Sequence, residues 1–186
     1  SNLLSYTDET SEQRPTAPSM HHGTVMGEIS SRSAIAWARS SESADVRVRY
    51  AMSPDLAGAS VTPPVRTVPL RDFTAHIPLE GLTPNSTYYS RTEVVDLARP
   101  SQINYSPVRE FRTPPESGPM DLSLVLFGDI GLGDTPKYRA FGSLIDEQAD
   151  YLISLGDFPY ADSTPEAKTT AEFMHKHADA RGLPRM

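Results

Sequence analysis

Two short apolar runs, each followed by Gly-Asp, constrain the fold of this chain more than any other feature of its sequence. The first run, 122–127, precedes Asp129, and the second, 151–155, precedes Asp157. Continuous apolar runs of this length are typical of strands that are buried on both faces. The sequence therefore predicts two buried strands that each end in an acidic turn.

A helical pattern connects the two runs. Pro136 can begin a helix, because its missing N–H would have no partner in the first turn. One face of this helix would carry Tyr138, Phe141, Leu144, Ile145 and Gln148. The unit is then β-α-β, and a right-handed crossover places both strand ends at one sheet edge. Asp129 and Asp157 should lie close together there, and two carboxylates repel each other unless a cation lies between them.

Composition excludes several classes of protein. The chain has 186 residues, no cysteine and a formal net charge of −7. Without cysteine there are no disulfides, zinc-thiolate sites or thiol nucleophiles. The acidic balance and the scattered basic residues argue against nucleic-acid binding. No apolar run approaches the length of a membrane span, and no signal peptide is visible.

The rest of the chain divides by composition. Residues 1–19 are polar without apolar periodicity and predict a flexible tail. From 20 to 113, alternating strands such as the one through Val46 and Val48 are separated by turn residues, which is typical of a β-sandwich. Residues 114–120 are rich in proline and glycine and predict a linker to the second part, 121–186.

The stretch from Leu82 to Tyr88 reads Leu-Thr-Pro-Asn-Ser-Thr-Tyr and leads into a strand. It resembles the tyrosine corner of fibronectin type III-like domains, in which a tyrosine hydroxyl bonds to an upstream backbone group. Together with Trp37 and a closing strand at 110–113, this resemblance implies a fibronectin III-like sandwich over roughly the first half of the chain.

A second helix is predicted after Tyr160. Thr164 can cap a helix that begins at Pro165 and runs to about Ala180, where Gly182 would stop it. The second part is then an incomplete α/β domain, β-α-β-α, with too few strands for an independent sheet. Either the sequence is a fragment or another chain completes the sheet. The exposed strand edge and apolar surface would favour self-association.

The two Gly-Asp motifs resemble the first two motifs of the calcineurin-like metallophosphoesterases. Residues 128–131 read GDxG and residues 156–160 read GDxxY, a form most similar to the purple acid phosphatases, which also carry a fibronectin-like domain in front. The alkaline phosphatase D family is similar too, because its β-domain opens much as residues 23–28 do here. Its first metal position is often cysteine, so Asp129 favours the purple acid pattern.

This resemblance implies hydrolysis of phosphomonoesters or phosphodiesters by a metal-bound hydroxide at a binuclear centre. Asp129 would bind the first metal, usually iron, Asp157 would bridge both metals, and Tyr160 would donate its phenolate to the first. The second metal would be divalent Fe, Zn, Mn or Ca. Carboxylate oxygens suit hard cations and phenolate suits ferric iron. The resemblance also implies a secreted or periplasmic location.

The histidines depart from the family pattern. Members complete the site with an Asn-His motif after a third strand and with later histidines, and none of these is present here. His175 and His177 are spaced to point to different helix faces, which predicts a solvated helix end. His21 and His22 are interpreted as exposed strand-edge residues, and His76 faces away from the apolar side of its strand.

The remaining motifs are weaker. Asp134 and Asp162 are candidates to hydrogen-bond the metal ligands, although a helix cap or a loop role is the simpler interpretation. Residues 131–137 lack the glycine before Lys137 that a phosphate-binding loop requires. The alternative function is a non-catalytic binding or structural module in which each Gly-Asp is only a turn. Alone, the 186 residues are expected to bind metal weakly and to show no useful phosphatase activity.

Overall fold

A computed structural model describes residues 17–129 and 149–181. Nearly all of the predicted tail, the predicted crossover helix and Asp134 lie outside the described residues. The strands of the first part are β1 Met20–Gly27, β2 Ser33–Ser40, β3 Ala44–Ala51, β4 Ser60–Val61, β5 Val65–Arg66, β6 Thr74–Glu80, β7 Thr87–Asp96, β8 Ile103–Tyr105 and β9 Arg109–Arg112. A 3-10 turn, Pro69–Arg71, precedes β6. The predicted antiparallel β-sandwich is therefore present.

The sandwich consists of two sheets. One has the strand order β1-β2-β6, and the other has the order β4-β3-β7-β8, with β5 also beside β3 and β9 also beside β7. Every pairing within these two sheets is antiparallel. The strict alternation of buried and partly exposed residues along β2 and β6 follows from the period of two in a strand.

Small and large side chains are matched in the core. Ala36 on β2 lies opposite Ile77 on β6, and Ala34 lies opposite Leu79. All four side chains are buried, and burial of an isoleucine or leucine contributes about 1.5–3 kcal/mol. The alanines of β2 leave space that the larger residues of β6 and β3 fill, which gives one continuous core.

The predicted tyrosine corner is confirmed by its geometry. The backbone N–H of Thr83 donates to the hydroxyl of Tyr88 at 2.8 Å. The Tyr88 ring stacks on Phe111 with a centroid separation of 5.5 Å and is tilted against Tyr50 at 6.1 Å. The corner therefore fixes the entry to β7 on one side while its ring fills the core on the other.

The boundary of the predicted tail is shifted. The Asn104 side-chain amide donates to the carbonyls of Ala17 and Pro18 at 2.7 and 2.9 Å, and the Ser19 N–H donates to Ser41 Oγ at 2.9 Å. These three residues therefore belong to the sandwich. Residues 113–123 contain no helix or strand, and the linker at 114–120 stays a prediction.

The second part contains two strands and one helix in its described residues. Strands β10 Leu124–Phe127 and β11 Tyr151–Ser154 are parallel and paired from end to end, as predicted. The prediction that they are buried is wrong for this chain, because Leu126 is 55% and Leu152 is 52% exposed. Within the described residues this sheet has two strands.

The final helix, α1, spans Thr170–Arg181, so the predicted start at Pro165 is wrong. Its start is set by a capping box. The Glu172 carboxylate accepts from the backbone N–H groups of Lys168 and Thr169 at 2.8 and 2.9 Å, and the Glu172 N–H donates to Thr169 Oγ1 at 3.2 Å. Such reciprocal bonds satisfy the open donors of the first helical turn. No helix in the described ranges is long and apolar enough to span a membrane.

Candidate functional site

The carboxyl ends of β10 and β11 bring the two predicted aspartates to the same sheet edge. Phe127 and Ser154 are paired at the ends of the strands, and the Leu155 N–H donates to the Phe127 carbonyl at 2.7 Å just beyond them. Asp129 and Asp157 follow immediately, both exposed. The two residues therefore follow the paired strand ends at one sheet edge, as predicted.

Both aspartates have a rare backbone conformation. Their φ angles are 49° for Asp129 and 52° for Asp157, in the left-handed region. Aspartate enters this region more readily than most residues, but such a conformation still costs on the order of 1 kcal/mol. Gly156 has a φ of 129°, which is practical only for glycine. The strands thus end in two sharp turns that each direct a carboxylate to the solvent.

An aromatic contact connects β10 to the loop that contains Tyr160. The Phe127 ring meets the Phe158 ring edge-on, with a centroid separation of 5.9 Å. Aromatic pairs with this geometry contribute about 0.5–1.5 kcal/mol beyond their buried area. The contact joins the two motifs, since Phe127 precedes the first aspartate and Phe158 follows the second.

Lys176 and Ser163 hold the loop that contains Tyr160. The Ser163 hydroxyl donates to the Tyr160 carbonyl at 2.8 Å, and Lys176 Nζ donates to Ser163 Oγ at 2.6 Å and to the Ser163 carbonyl at 2.7 Å. No sequence pattern indicates this arrangement, because a lysine on a helix is normally interpreted as solvated. The Thr169-x-x-Glu172 pattern was the available signal that would have placed the helix correctly.

Helix α1 is in turn attached to the sandwich. A ring nitrogen of His22 on β1, Nε2, lies 2.8 Å from the Ala178 carbonyl, and the His22 and Trp37 rings are 6.4 Å apart. The prediction of an exposed edge role for His22 is therefore wrong, because helix α1 covers it. A continuous series of contacts now runs from β1 through α1 to the loop of Tyr160.

The other described histidines divide into two groups. His76 is exposed, as predicted, and His175 is exposed with Nε2 3.6 Å from Asp179 Oδ2. His177 is only partly exposed and meets the Phe173 ring edge-on at 4.9 Å, so the prediction of a solvated helix end is wrong for it. The side chain of His21 lies outside the described residues.

A cleft of about 230 Å³ lies where α1 meets the sandwich. It is lined by Trp37, Arg39, Asp72, Thr74, Met174, His177 and Ala178. Its polar wall is an ion pair in which Arg39 Nη2 lies 2.8 Å from Asp72 Oδ1. None of the predicted metal ligands lines this cleft, so it belongs to the junction of helix and sandwich.

The oxygen donors at the strand edge are of the type that hard cations prefer. Asp129 and Asp157 offer exposed carboxylates, Tyr160 offers a phenol oxygen in the following loop, and Asp162 is also exposed there. Across residues 17–129 and 149–181, however, no three His, Cys, Asp or Glu side chains converge on one point.

The sandwich can be assigned to a known family of domains. Residues 6–115, more than half of the chain, match the family described as PhoD-like phosphatase, N-terminal domain. The chain therefore belongs to that family, and the predicted relationship to metallophosphoesterases is confirmed for their N-terminal portion.

Individual relatives are similar to this chain over part of their length. Purple acid phosphatase 13 of Arabidopsis thaliana is 30% identical over 109 residues, which is 58% of this chain and 19% of that protein. A structure of PhoD has a TM-score of 0.72 at 19% identity, covering 90% of this chain and 36% of that one. The purple acid phosphatase from yellow lupin (Lupinus luteus) seeds has a TM-score of 0.60 at 17% identity, covering 92% and 35%. This chain thus spans about a third or less of each relative, and the preference for the purple acid pattern stays a prediction.

Proposed function

We propose that this chain is the N-terminal part of a metal-dependent phosphoesterase, in which the sandwich supports the first two metal-binding motifs of an α/β catalytic domain. One observation carries the proposal. Asp129 and Asp157 follow adjacent parallel strands at one sheet edge, and both have left-handed backbone conformations. Each aspartate is exposed, so it contributes nothing to packing, and its left-handed backbone costs conformational energy. Residues that destabilise the fold without packing favour a role in binding.

Each residue has a proposed role. Asp129 would hold one cation, Asp157 would be shared between two, and Tyr160 would offer its phenolate to the first, for which we propose iron. A metal centre held in this way would supply Lewis-acid chemistry for the hydrolysis of a phosphate ester. The residues of this chain hold anionic oxygens at a fixed edge, and the contact of Phe127 with Phe158 fixes the loop beside them. Family membership also supports a phosphate ester substrate and an extracytoplasmic location.

The described residues alone should bind metal weakly. Hard cations take about six or more oxygen ligands, and two carboxylates with one phenolate supply fewer. We therefore expect no useful turnover from these 186 residues by themselves. The alternative function, a non-catalytic module, is favoured if the two aspartates bind no cation at all.

Manganese titration followed by NMR tests the binding role directly. Sub-stoichiometric Mn²⁺ should broaden the amide signals of Gly128, Asp129, Gly156 and Asp157 before others, and Asp157→Asn should remove that selectivity. Asp121→Asn is the matched control, because Asp121 is exposed at the opposite end of the same strand pair. Uniform broadening in the unchanged chain, or selective broadening that survives Asp157→Asn, would contradict the proposal.

Catalysis is tested in a protein that also carries the remaining catalytic part. Asp157→Asn should remove most hydrolysis of para-nitrophenyl phosphate and lower the bound metal, while Asp121→Asn should change neither. Tyr160→Phe should bleach any visible band that arises from iron-phenolate charge transfer. Full activity of the Asp157→Asn protein would refute the enzymatic role, and an unchanged band would remove Tyr160 as a ligand.

A further inference from the structure

The outer face of the larger sandwich sheet carries a cluster of charged side chains in which arginines outnumber carboxylates. Arg47 and Arg49 lie on β3, and Arg91 and Glu93 lie on β7. Arg47 is directly opposite Glu93, whereas Arg49 is directly opposite Arg91. Because like charges in a cross-strand pair are destabilising, the second pairing requires a compensating interaction.

Glu93 supplies only part of that compensation. Its two carboxylate oxygens accept from Arg47 Nε and Arg49 Nε, each at 2.7 Å, and Arg91 Nη2 lies 3.9 Å away. Three positive charges therefore share one carboxylate. Other arginines pair with one carboxylate each: Arg32 with Glu116, Arg39 with Asp72, Arg66 with Asp45, and Arg99 with Asp96.

The carboxylate is firmly ionised and hidden beneath the arginines. The Glu93 side chain is 1% exposed, whereas the arginine side chains are 32–34% exposed. Burial alone would raise the pKa of Glu93, but hydrogen bonds from Arg49 and Arg47 outweigh it and lower that pKa below its ordinary value. The surface that solvent meets above Glu93 is therefore made of guanidinium groups.

These guanidinium groups retain unused donors. Arg47 and Arg49 each donate a hydrogen bond from Nε to Glu93. Within the described residues their terminal amino groups have no carboxylate acceptor. Arg91 Nε is shielded from solvent and has no hydrogen-bond partner among the described residues, so the donors that Arg91 can offer to a ligand are its terminal amino groups. The Arg91 guanidinium carbon lies 4.4 Å from the centroid of the Tyr105 ring, which holds the side chain in place.

We propose that Arg47, Arg49 and Arg91 form a binding site for a tetrahedral oxyanion of the phosphate or sulfate class on the outer face of the sandwich. Guanidinium groups are weakly hydrated, and their forked donors match oxyanions with two bonds at a time. A bound dianion would balance the two positive charges that Glu93 leaves over. The site uses no residue of the Gly-Asp motifs, so it stands independently of the proposed phosphoesterase function.

Isothermal titration with sodium sulfate and sodium phosphate tests the site, with sodium chloride at equal ionic strength as the reference. Saturable binding of sulfate or phosphate is expected, together with shifts in the Nε–H signals of the three arginines in NMR spectra. Arg91→Gln is the variant of choice, because Arg91 makes no hydrogen bond to Glu93 and the remaining pairing is preserved. Its affinity for sulfate should fall about tenfold or more.

The matched control is Arg66→Gln, since Arg66 has its own carboxylate partner in Asp45. It should bind sulfate as tightly as the unchanged chain. Binding no stronger than that of chloride, or equal binding by the Arg91→Gln and unchanged chains, would overturn the proposal. Acetate that binds as tightly as sulfate would overturn the assignment to tetrahedral anions.

Discussion

The strands of the parallel pair are more continuously apolar than the alternating strands of the sandwich, yet they are buried far less. Val46, Val48 and Ile77 in the sandwich are fully buried, whereas Leu126 in β10 is 55% exposed and Ile153 in β11 is 41% exposed. Both regions have regular backbone pairing. The difference shows that the apolar composition of a strand does not by itself determine its burial, which depends on what packs against it.

The two regions should also differ in local stability. The sandwich has a continuous core and a tyrosine corner, while the described second part is joined to it by contacts such as that of His22 with Ala178. Segments with few buried apolar contacts open at low free energy. We therefore expect the sandwich to be the stable folding unit and the strand pair with α1 to open first.

The largest effect should come from paired truncations in the two regions. Ile77→Ala should lower the free energy of unfolding by about 3–4 kcal/mol, because it leaves a cavity in a packed core. Ile153→Ala should change it by less than about 1 kcal/mol, since that side chain is 41% exposed. Urea titration followed by the fluorescence of Trp37, the single tryptophan, measures both.

Equal losses in the two variants would break the comparison, because they would mean that the strand pair is covered in solution. Sedimentation velocity then identifies a second copy of the chain as the cover if Ile153→Ala also weakens association. A monomer at all concentrations would refute the predicted self-association.

A smaller effect is expected at the buried carboxylate of the sandwich. Glu93→Gln should lower the free energy of unfolding by about 2–3 kcal/mol. This is less than the loss expected on breaking a fully buried ion pair, because the arginine partners of Glu93 are about one-third exposed. The control is Glu116→Gln, whose carboxylate is 61% exposed beside Arg32 and should contribute less than about 1 kcal/mol. Urea titrations at neutral pH give both values, and similar losses would show that burial of Glu93 adds nothing.

The same residue predicts a pH dependence. The pKa of Glu93 is lowered in the folded chain, so its contribution is fully present above the ordinary glutamate pKa of about 4.3. It is lost as the pH falls through the lower pKa of the folded state. The Glu93→Gln chain should therefore lose less stability than the unchanged chain between neutral pH and about pH 3. Parallel pH profiles would contradict this assignment.

The smallest global effect is expected in the second region. Lys176→Met should change the free energy of unfolding little, yet it removes both bonds to Ser163. The Ala167 N–H, which donates to the Ala161 carbonyl at 2.7 Å, should then exchange with solvent about tenfold faster. Lys168→Met is the control, because that side chain is 72% exposed. Unchanged exchange in the Lys176→Met chain would mean that the loop is held by other contacts.

Much of the sandwich was predictable because its signals are local. The alternation of apolar and polar residues through Val46 and Val48 indicates a strand with one buried face. The tyrosine corner joins Thr83 and Tyr88, which are only five residues apart. The contact of His22 with Ala178 joins residues 156 positions apart, and no local pattern reveals it. The exposure of Leu126 depends on packing in three dimensions, which a window of sequence also does not report.

The sheet edge at which the candidate site lies could be predicted from the sequence, but the contacts that support the site could not. The order of strands along the chain sufficed to bring Asp129 and Asp157 to one edge. Lys176 holds the loop of Tyr160 from helix α1, and the sequence pattern had misplaced the start of that helix. The cluster around Glu93 was missed because alternation assigns it to the outer face, and only the long arginine side chains lying over it make it buried.

The left-handed backbone at Asp129 and Asp157 separates the shape of each turn from its chemistry. Glycine adopts these angles without the strain that a side chain adds, so replacing either aspartate with glycine would keep the turn and remove only the carboxylate. The backbone of the two turns therefore gives no reason for aspartate in preference to glycine, and any reason must come from what the side chain contacts.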